Sequence, residues 1–164
     1  MRALLLAFAA VCLGLRQEQD YAKLLQEAKI TLVQAIDLAV KASKTERIAL
    51  DAWIEESRGK QNFVVNGTQE DRIFGVSLDL AEGKILLTGV GKADRSEIAQ
   101  AFKIKLTDAV QTALKQEKGQ AVRATFDLTA AKKPEGTVKV FNAGKIRVVT
   151  IDGVTGKITG VKDN

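Results

Sequence analysis

The stretch ITLVQAIDLAVKA (Ile30 to Ala42) returns 74 positions later as IKLTDAVQTALKQ (Ile104 to Gln116). In the first, Leu32, Ala35, Ile36, Ala39 and Val40 fall at i, i+3, i+4, i+7 and i+8, the stripe of an amphipathic helix. Thr31 with Gln34 three residues later forms a capping-box pattern that marks where this helix begins. Further along, VSLDLAEGKIL (Val76 to Leu86) returns as VTIDGVTGKIT (Val149 to Thr159). A repeat this long corresponds to a small domain rather than a solenoid turn, so the pattern predicts a tandem duplication.

Shorter helices are expected before each stripe. Asp20 is placed to cap one carrying Tyr21, Leu24, Leu25 and Ala28; Asp94 with Glu97 is placed to cap one through Ile98, Ala101 and Phe102. Alternation with a period of two then takes over. Leu50, Ala52 and Ile54 alternate with Asp51, Trp53 and Glu55, and Val122, Ala124, Phe126 and Leu128 alternate with Arg123, Thr125 and Asp127. One apolar face at that period is a half-buried antiparallel strand. Strands are expected at 61–66, 73–80 and 85–88, and again at 137–142, 145–152 and 158–161. Asn66-Gly67, Asn142-Ala143-Gly144, Ala81-Glu82-Gly83 and Val154-Thr155-Gly156 supply turn chemistry. The expected fold is α+β: two tandem repeats, each with one or two N-terminal helices packed on one face of a four-stranded antiparallel meander sheet. The expected domains span residues 20–88 and 95–164. Residues 89–94 form the linker, and Lys132 to Gly136 a loop.

Residues 1–15 have another character. Met1 and Arg2 precede an apolar run from Ala3 to Leu15, and polar Arg16, Gln17 and Glu18 follow. That is the pattern of a signal peptide, and it predicts a periplasmic or secreted protein with no membrane span after cleavage. A lipoprotein reading would use Cys12, although Val11 is larger than the residue that usually precedes a lipid-bearing cysteine. Cleavage removes the one cysteine, and the chain has no histidine. Disulfides, thiolate catalysis, imidazole base catalysis and the commonest metal ligands are thereby excluded from the mature chain. No catalytic constellation stands out, so the sequence reads as not an enzyme, with no cofactor.

The net charge of +5 is uneven: residues 101–164 carry 12 Lys and Arg against 6 Asp and Glu, while the first hundred residues are close to neutral. An anionic partner surface suits the second half. The lysines are spread out and not interleaved with aromatics, which argues against nucleic acid.

Parity puts Trp53 on the sheet face away from the helices, with Asp51 and Glu55 beside it. A tryptophan ringed by charges suits a protein-binding hot spot, or a face buried against the other repeat. In the second repeat the corresponding face carries Ile146, Val148 and Thr150, joined by Phe141, and needs a cover. Either the two sheets cover each other or a partner covers both. Lys132 and Lys133 could steer an acidic partner. Asp79 and Asp152 are each expected to accept backbone N–H groups across their own turns. Gly89-Val90-Gly91-Lys92 lacks the remaining residues of a phosphate loop. Asn66-Gly67-Thr68 fits a glycosylation sequon placed on a turn.

The helix pattern, the alternating strands and the V-S/T-L/I-D-x-x-x-G-K-I hairpin together resemble the PepSY domain. The first copy fits as ITLVQAIDLAVKA and VSLDLAEGKIL, the second as IKLTDAVQTALKQ and VTIDGVTGKIT. The resemblance implies a noncatalytic module that restrains peptidases outside the cytoplasm. On that basis the expected function is to bind and modulate a peptidase or other envelope protein through Trp53, Asp51, Glu55, Phe141, Ile146, Val148, Lys132 and Lys133. The alternative is a small-molecule or envelope-polymer binder using a cleft between the repeats; a third reading is a structural accessory subunit.

Overall fold

The starts of the first two helices are fixed by local side-chain hydrogen bonds. The structure, a computed structural model, describes residues 20–57, 59–93 and 95–164. The expected signal peptide and Cys12, and the expected cap at Asp94, lie outside the described residues. Helix α1 (Tyr21–Glu27) begins where Asp20 Oδ1 accepts the Lys23 N–H. Helix α2 (Leu32–Lys41) carries the reciprocal pair expected of a capping box: Thr31 Oγ1 accepts from Gln34 N at 3.2 Å and Gln34 Oε1 accepts from Thr31 N at 2.8 Å. Strands β1 (Ile48–Ser57), β2 (Lys60–Gln69), β3 (Arg72–Asp79) and β4 (Ile85–Gly91) follow. Then come α3 (Ser96–Ala101), α4 (Leu106–Gln116), β5 (Gln120–Leu128), β6 (Pro134–Asn142), β7 (Lys145–Asp152) and β8 (Ile158–Asp163).

The expectation of two separate four-stranded repeats is overturned. All eight strands form one antiparallel sheet in the order β4-β3-β2-β1-β5-β6-β7-β8. The seam is β1 against β5, pairing Asp51 with Thr125, Ala52 with Ala124 and Trp53 with Arg123. The physical reason is edge chemistry. In a meander of four, the first strand leaves a row of N–H and C=O groups unpaired, and two such edges satisfy each other. Ala52 and Ala124 are both fully buried at the seam.

One hydrophobic cluster accordingly runs through both halves. It joins Leu32, Ala35, Ile36 and Ala39 of α2 and Leu106, Ala109, Val110 and Ala113 of α4 to the inward residues of the strands, Phe63, Val76, Phe126, Val138 and Ile151 among them. The alanines let both helices approach the sheet and one another closely, and α2 touches α4 and β5 as well as its own strands. Two backbone bonds tie the helix pairs to strand ends: Lys29 N–H to the Leu80 carbonyl and Lys103 N–H to the Gly153 carbonyl.

Several local readings also change. Asn66-Gly67 is no turn: β2 runs straight through it to Gln69, and the chain reverses at Glu70, which adopts φ of 56°. Gly67 is needed because its missing Cβ would lie 2.0 Å from the Ile48 carbonyl oxygen, beside the β1 bulge between Ala49 and Asp51. The sequon therefore lies within a strand, with Thr68 buried. Asn142-Ala143-Gly144 does turn, both Ala143 and Gly144 having positive φ. The expected linker is half strand, since Gly89, Val90 and Gly91 belong to β4 and pair with Gly75, Phe74 and Ile73. The expected loop at 132–136 ends at Lys133, where Thr129 Oγ1 accepts the Lys133 N–H, and Pro134 opens β6.

A buried cation was not foreseen. Arg47, 9% exposed, stacks over Phe74 at 4.6 Å, and its guanidinium donates to Gln69 Oε1 and to the Ala39 carbonyl near the C-terminus of α2. Burial lowers its pKa, while the carbonyl end of α2 and the Phe74 ring face favour the positive charge.

Candidate binding face

Strand register defines a transverse row on the sheet face opposite α2 and α4. Reading across all eight strands, Leu87 lies beside Ser77, then Val64, Trp53, Arg123, Lys139, Val148 and Lys162. Each is a directly opposed partner of the next, so their side chains stand on one face. Trp53 sits fourth in the row, half-buried between Val64 and Arg123. Its indole N–H donates to Glu55 Oε2 at 3.0 Å, which fixes the ring orientation and satisfies the donor.

Because β5 continues the sheet, the two sets of four strands lie side by side, and the expectation that two sheets might cover each other fails. Asp51 is not free to serve a partner as the sequence suggested. It is ion-paired with Arg95, whose Nη2 also reaches the Phe126 carbonyl at 3.5 Å. Arg95 thus bridges β1 and β5 beside the end of their short pairing. Glu55 is likewise committed, to the Trp53 indole.

Phe141, Ile146 and Val148 share the outward face of β6 and β7, as parity predicted. Their cover is partly internal. The Phe141 ring lies 6.0 Å from that of Tyr21 at the start of α1. Val148 is only 6% exposed and belongs to no part of the main core; Lys139 and Lys162 flank it, and the long alkyl stems of such residues shield apolar neighbours. Lys132 and Lys133 are not brought to this row. Lys132 Nζ binds Glu97 Oε1 of α3 at 2.8 Å, which raises its pKa through that hydrogen bond. Lys133 lies at the end of the sheet where its charge acts on Asp152. Sequence reasoning missed Arg123, Lys139, Lys162 and Val64 as neighbours of the tryptophan. Their alternation was readable; their registration against Trp53 was not.

Asp79 and Asp152 hold their own turns, as the pattern indicated. Asp79 Oδ1 accepts from Ala81 N and Glu82 N at 2.9 and 2.7 Å. Asp152 Oδ1 accepts from Thr155 N at 2.7 Å, Thr155 Oγ1 at 2.9 Å and Val154 N at 3.0 Å. The Thr155 bonds, chiefly, push the Asp152 carboxyl below the usual carboxylate range. A carboxyl with a depressed folded value stabilises the fold above its unfolded pKa and loses that contribution as pH falls through the folded value. Asp152→Asn should therefore lower the melting temperature at neutral pH, with the difference from wild type shrinking in acid. An equal difference at every pH would show that the charge plays no part.

Two cavities bear on ligand binding. One of 130 Å³ lies where the halves meet, lined by Leu25, Leu32, Phe63, Val110, Leu114 and Ala121 among others. That is below the 300–1,000 Å³ or so typical of small-molecule sites. The other, of 360 Å³, is a polar hollow within the first half, bordered by Lys23, Glu27, Lys60, Gln61 and Asp79. Among the described residues no three His, Cys, Asp or Glu side chains cluster to hold a metal ion, and no helix is long and apolar enough to cross a membrane.

Neither a protein-family model nor a curated protein matches the chain. Among solved structures, the chain is similar to a crystal structure from Clostridium difficile 630 of a protein provisionally described as a lipoprotein. The two align with a TM-score of 0.50 at 16% identity, covering 84% of this chain and 95% of the other. The likeness is one of fold.

Proposed function

We propose that this is an exported, noncatalytic binding protein that offers its open sheet face to a protein partner, a peptidase being the class that the PepSY resemblance points to. The observation that carries the reading is the transverse row, in which a half-buried, oriented tryptophan lies between an aliphatic neighbour and a basic trio, Arg123, Lys139 and Lys162. Rigid aromatics with adjoining arginine are the commonest anchors of protein interfaces, and an open sheet holds them in place without loop ordering. The basic trio suits a partner surface that is acidic around an apolar pocket. An envelope or exported location accords with the apolar N-terminal run and with the fold shared with a protein described as a lipoprotein.

The test is recovery of a partner from the envelope extract of the producing cells. The wild-type chain is expected to retain a peptidase and slow it at stoichiometric concentration. Trp53→Ala should weaken binding by about tenfold or more, as a hot-spot residue does. Unchanged affinity after both Trp53→Ala and Arg123→Glu would remove this face from the account.

A further inference from the structure

The two halves differ at one matched corner, where a helix pair meets the end of the sheet. The bond from Lys29 N–H to the Leu80 carbonyl recurs as Lys103 to Gly153, and that from Leu80 N–H to Gln61 recurs as Gly153 to Pro134. The cross-strand pair Glu56 with Gln61 likewise recurs as Leu128 with Pro134. In the second half the corner is apolar and tightly filled. A Cβ at Gly153 would lie 2.5 Å from the Phe102 ring and 2.8 Å from Pro134. Its helix charge is also paired: Glu97, six residues before Lys103, binds Lys132 at 2.8 Å. In the first half Glu56 and Gln61 stand in place of Leu128 and Pro134, and Lys23 in place of Glu97. The result there is the polar hollow of 360 Å³.

That volume lies within the range of small-molecule sites, about 300–1,000 Å³. Two cations, Lys23 and Lys60, and two anions, Glu27 and Glu56, border it. Among the described residues none of the four is in an ion pair, although Lys23 and Glu27 are four apart on α1, where opposite charges can meet. Gln61, on the same border, has its Oε1 buried with no hydrogen-bond donor among the described residues. A buried acceptor that its own chain leaves unsatisfied calls for a donor from outside it.

We infer that this hollow binds a small zwitterion, of the class of free amino acids and dipeptides. The ammonium group of such a ligand supplies N–H donors for Gln61 Oε1 and a counter-charge for Glu27 and Glu56; its carboxylate answers Lys23 and Lys60. An amine or a simple carboxylate would answer one pair of charges and face the other as like charge. Glu56 has the parity of the buried Ile54, so the hollow lies on the helix side of the sheet and is independent of the Trp53 face.

Isothermal titration calorimetry on the full purified protein tests the inference. The probes are the common amino acids and glycylglycine, with putrescine and succinate as ligands of one charge sign. At least one zwitterion is expected to bind, and putrescine and succinate to bind about tenfold more weakly or less. Glu56→Gln and Lys60→Gln, both at exposed positions where the fold does not depend on the charge, should each weaken that binding by about tenfold. Glu56→Leu, which installs the residue of the second half, should do so at least as strongly. No heat from any zwitterion, equal binding of putrescine or succinate, or unchanged affinity in Glu56→Gln or Lys60→Gln would each overturn it.

Discussion

Gly67→Ala is expected to cost about 3 kcal/mol or more of folding stability, in the range reserved for forced backbone displacement in a packed interior. The added methyl would meet the Ile48 carbonyl oxygen at 2.0 Å and Ala49 Cα at 2.8 Å. Both are backbone atoms of the neighbouring strand, so no rotamer change can relieve the contact. β1 and β2 must separate at the bulge, and β1 is also the strand that meets β5. Gly67→Asn separates this account from a turn. At a turn with positive φ asparagine is well tolerated, whereas at a close approach it fails as alanine does. Urea melts of the two variants check it: two similar large losses are expected, and a near-native Asn variant would restore the turn.

Phe126→Ala is expected to cost about 3–5 kcal/mol, the usual range for truncating a buried phenylalanine. Phe126 is 1% exposed and stacks on Phe102 with centroids 3.8 Å apart and planes within 12°. Room for the two rings is made by glycine: a Cβ at Gly136 would stand 3.0 Å from the Phe126 ring, and one at Gly153 would stand 2.5 Å from that of Phe102. The location makes the experiment informative beyond its size. Trp53, the one tryptophan, reports from β1 in the first half, while Phe126 lies on β5 in the second. With one sheet and one core, the Trp53 fluorescence transition should shift with Phe126→Ala to lower denaturant. A tryptophan transition left in place while circular dichroism loses the second half would describe two independent domains.

What could be read from the chain depended on the range of the interaction. The α2 stripe and its Thr31–Gln34 cap are local, and both were legible. So were the Asp79 and Asp152 turns, where acceptor and donors lie within three residues. Parity along β1 placed Trp53 correctly on the face away from the helices. The β1–β5 seam was hidden, because Ala52 and Ala124 alternate in the same way whether their strand ends a sheet or continues one. Gly89 and Gly91 read as linker because glycine weakens a strand pattern. Their place in β4 is set by pairing with β3, which composition does not show. Gly67 misled for a related reason: Asn-Gly is the strongest short turn signal, and only the bulge opposite it reveals a second use for a missing side chain.

The candidate face followed the same rule. Asp51 and Glu55 were correctly placed beside Trp53, yet each proved to be occupied, by Arg95 and by the indole N–H. Arg123, which adjoins the ring, is 70 positions away in the sequence and becomes its neighbour only through the seam.

That seam is open to direct observation by nuclear Overhauser spectroscopy on labelled protein. Cross-strand backbone contacts between Ala52 and Ala124, flanked by contacts from Asp51 to Thr125 and from Trp53 to Arg123, are the expected result. Spectra in which β1 and β5 each contact only β2 and β6, respectively, would contradict the single sheet and the binding row drawn across it.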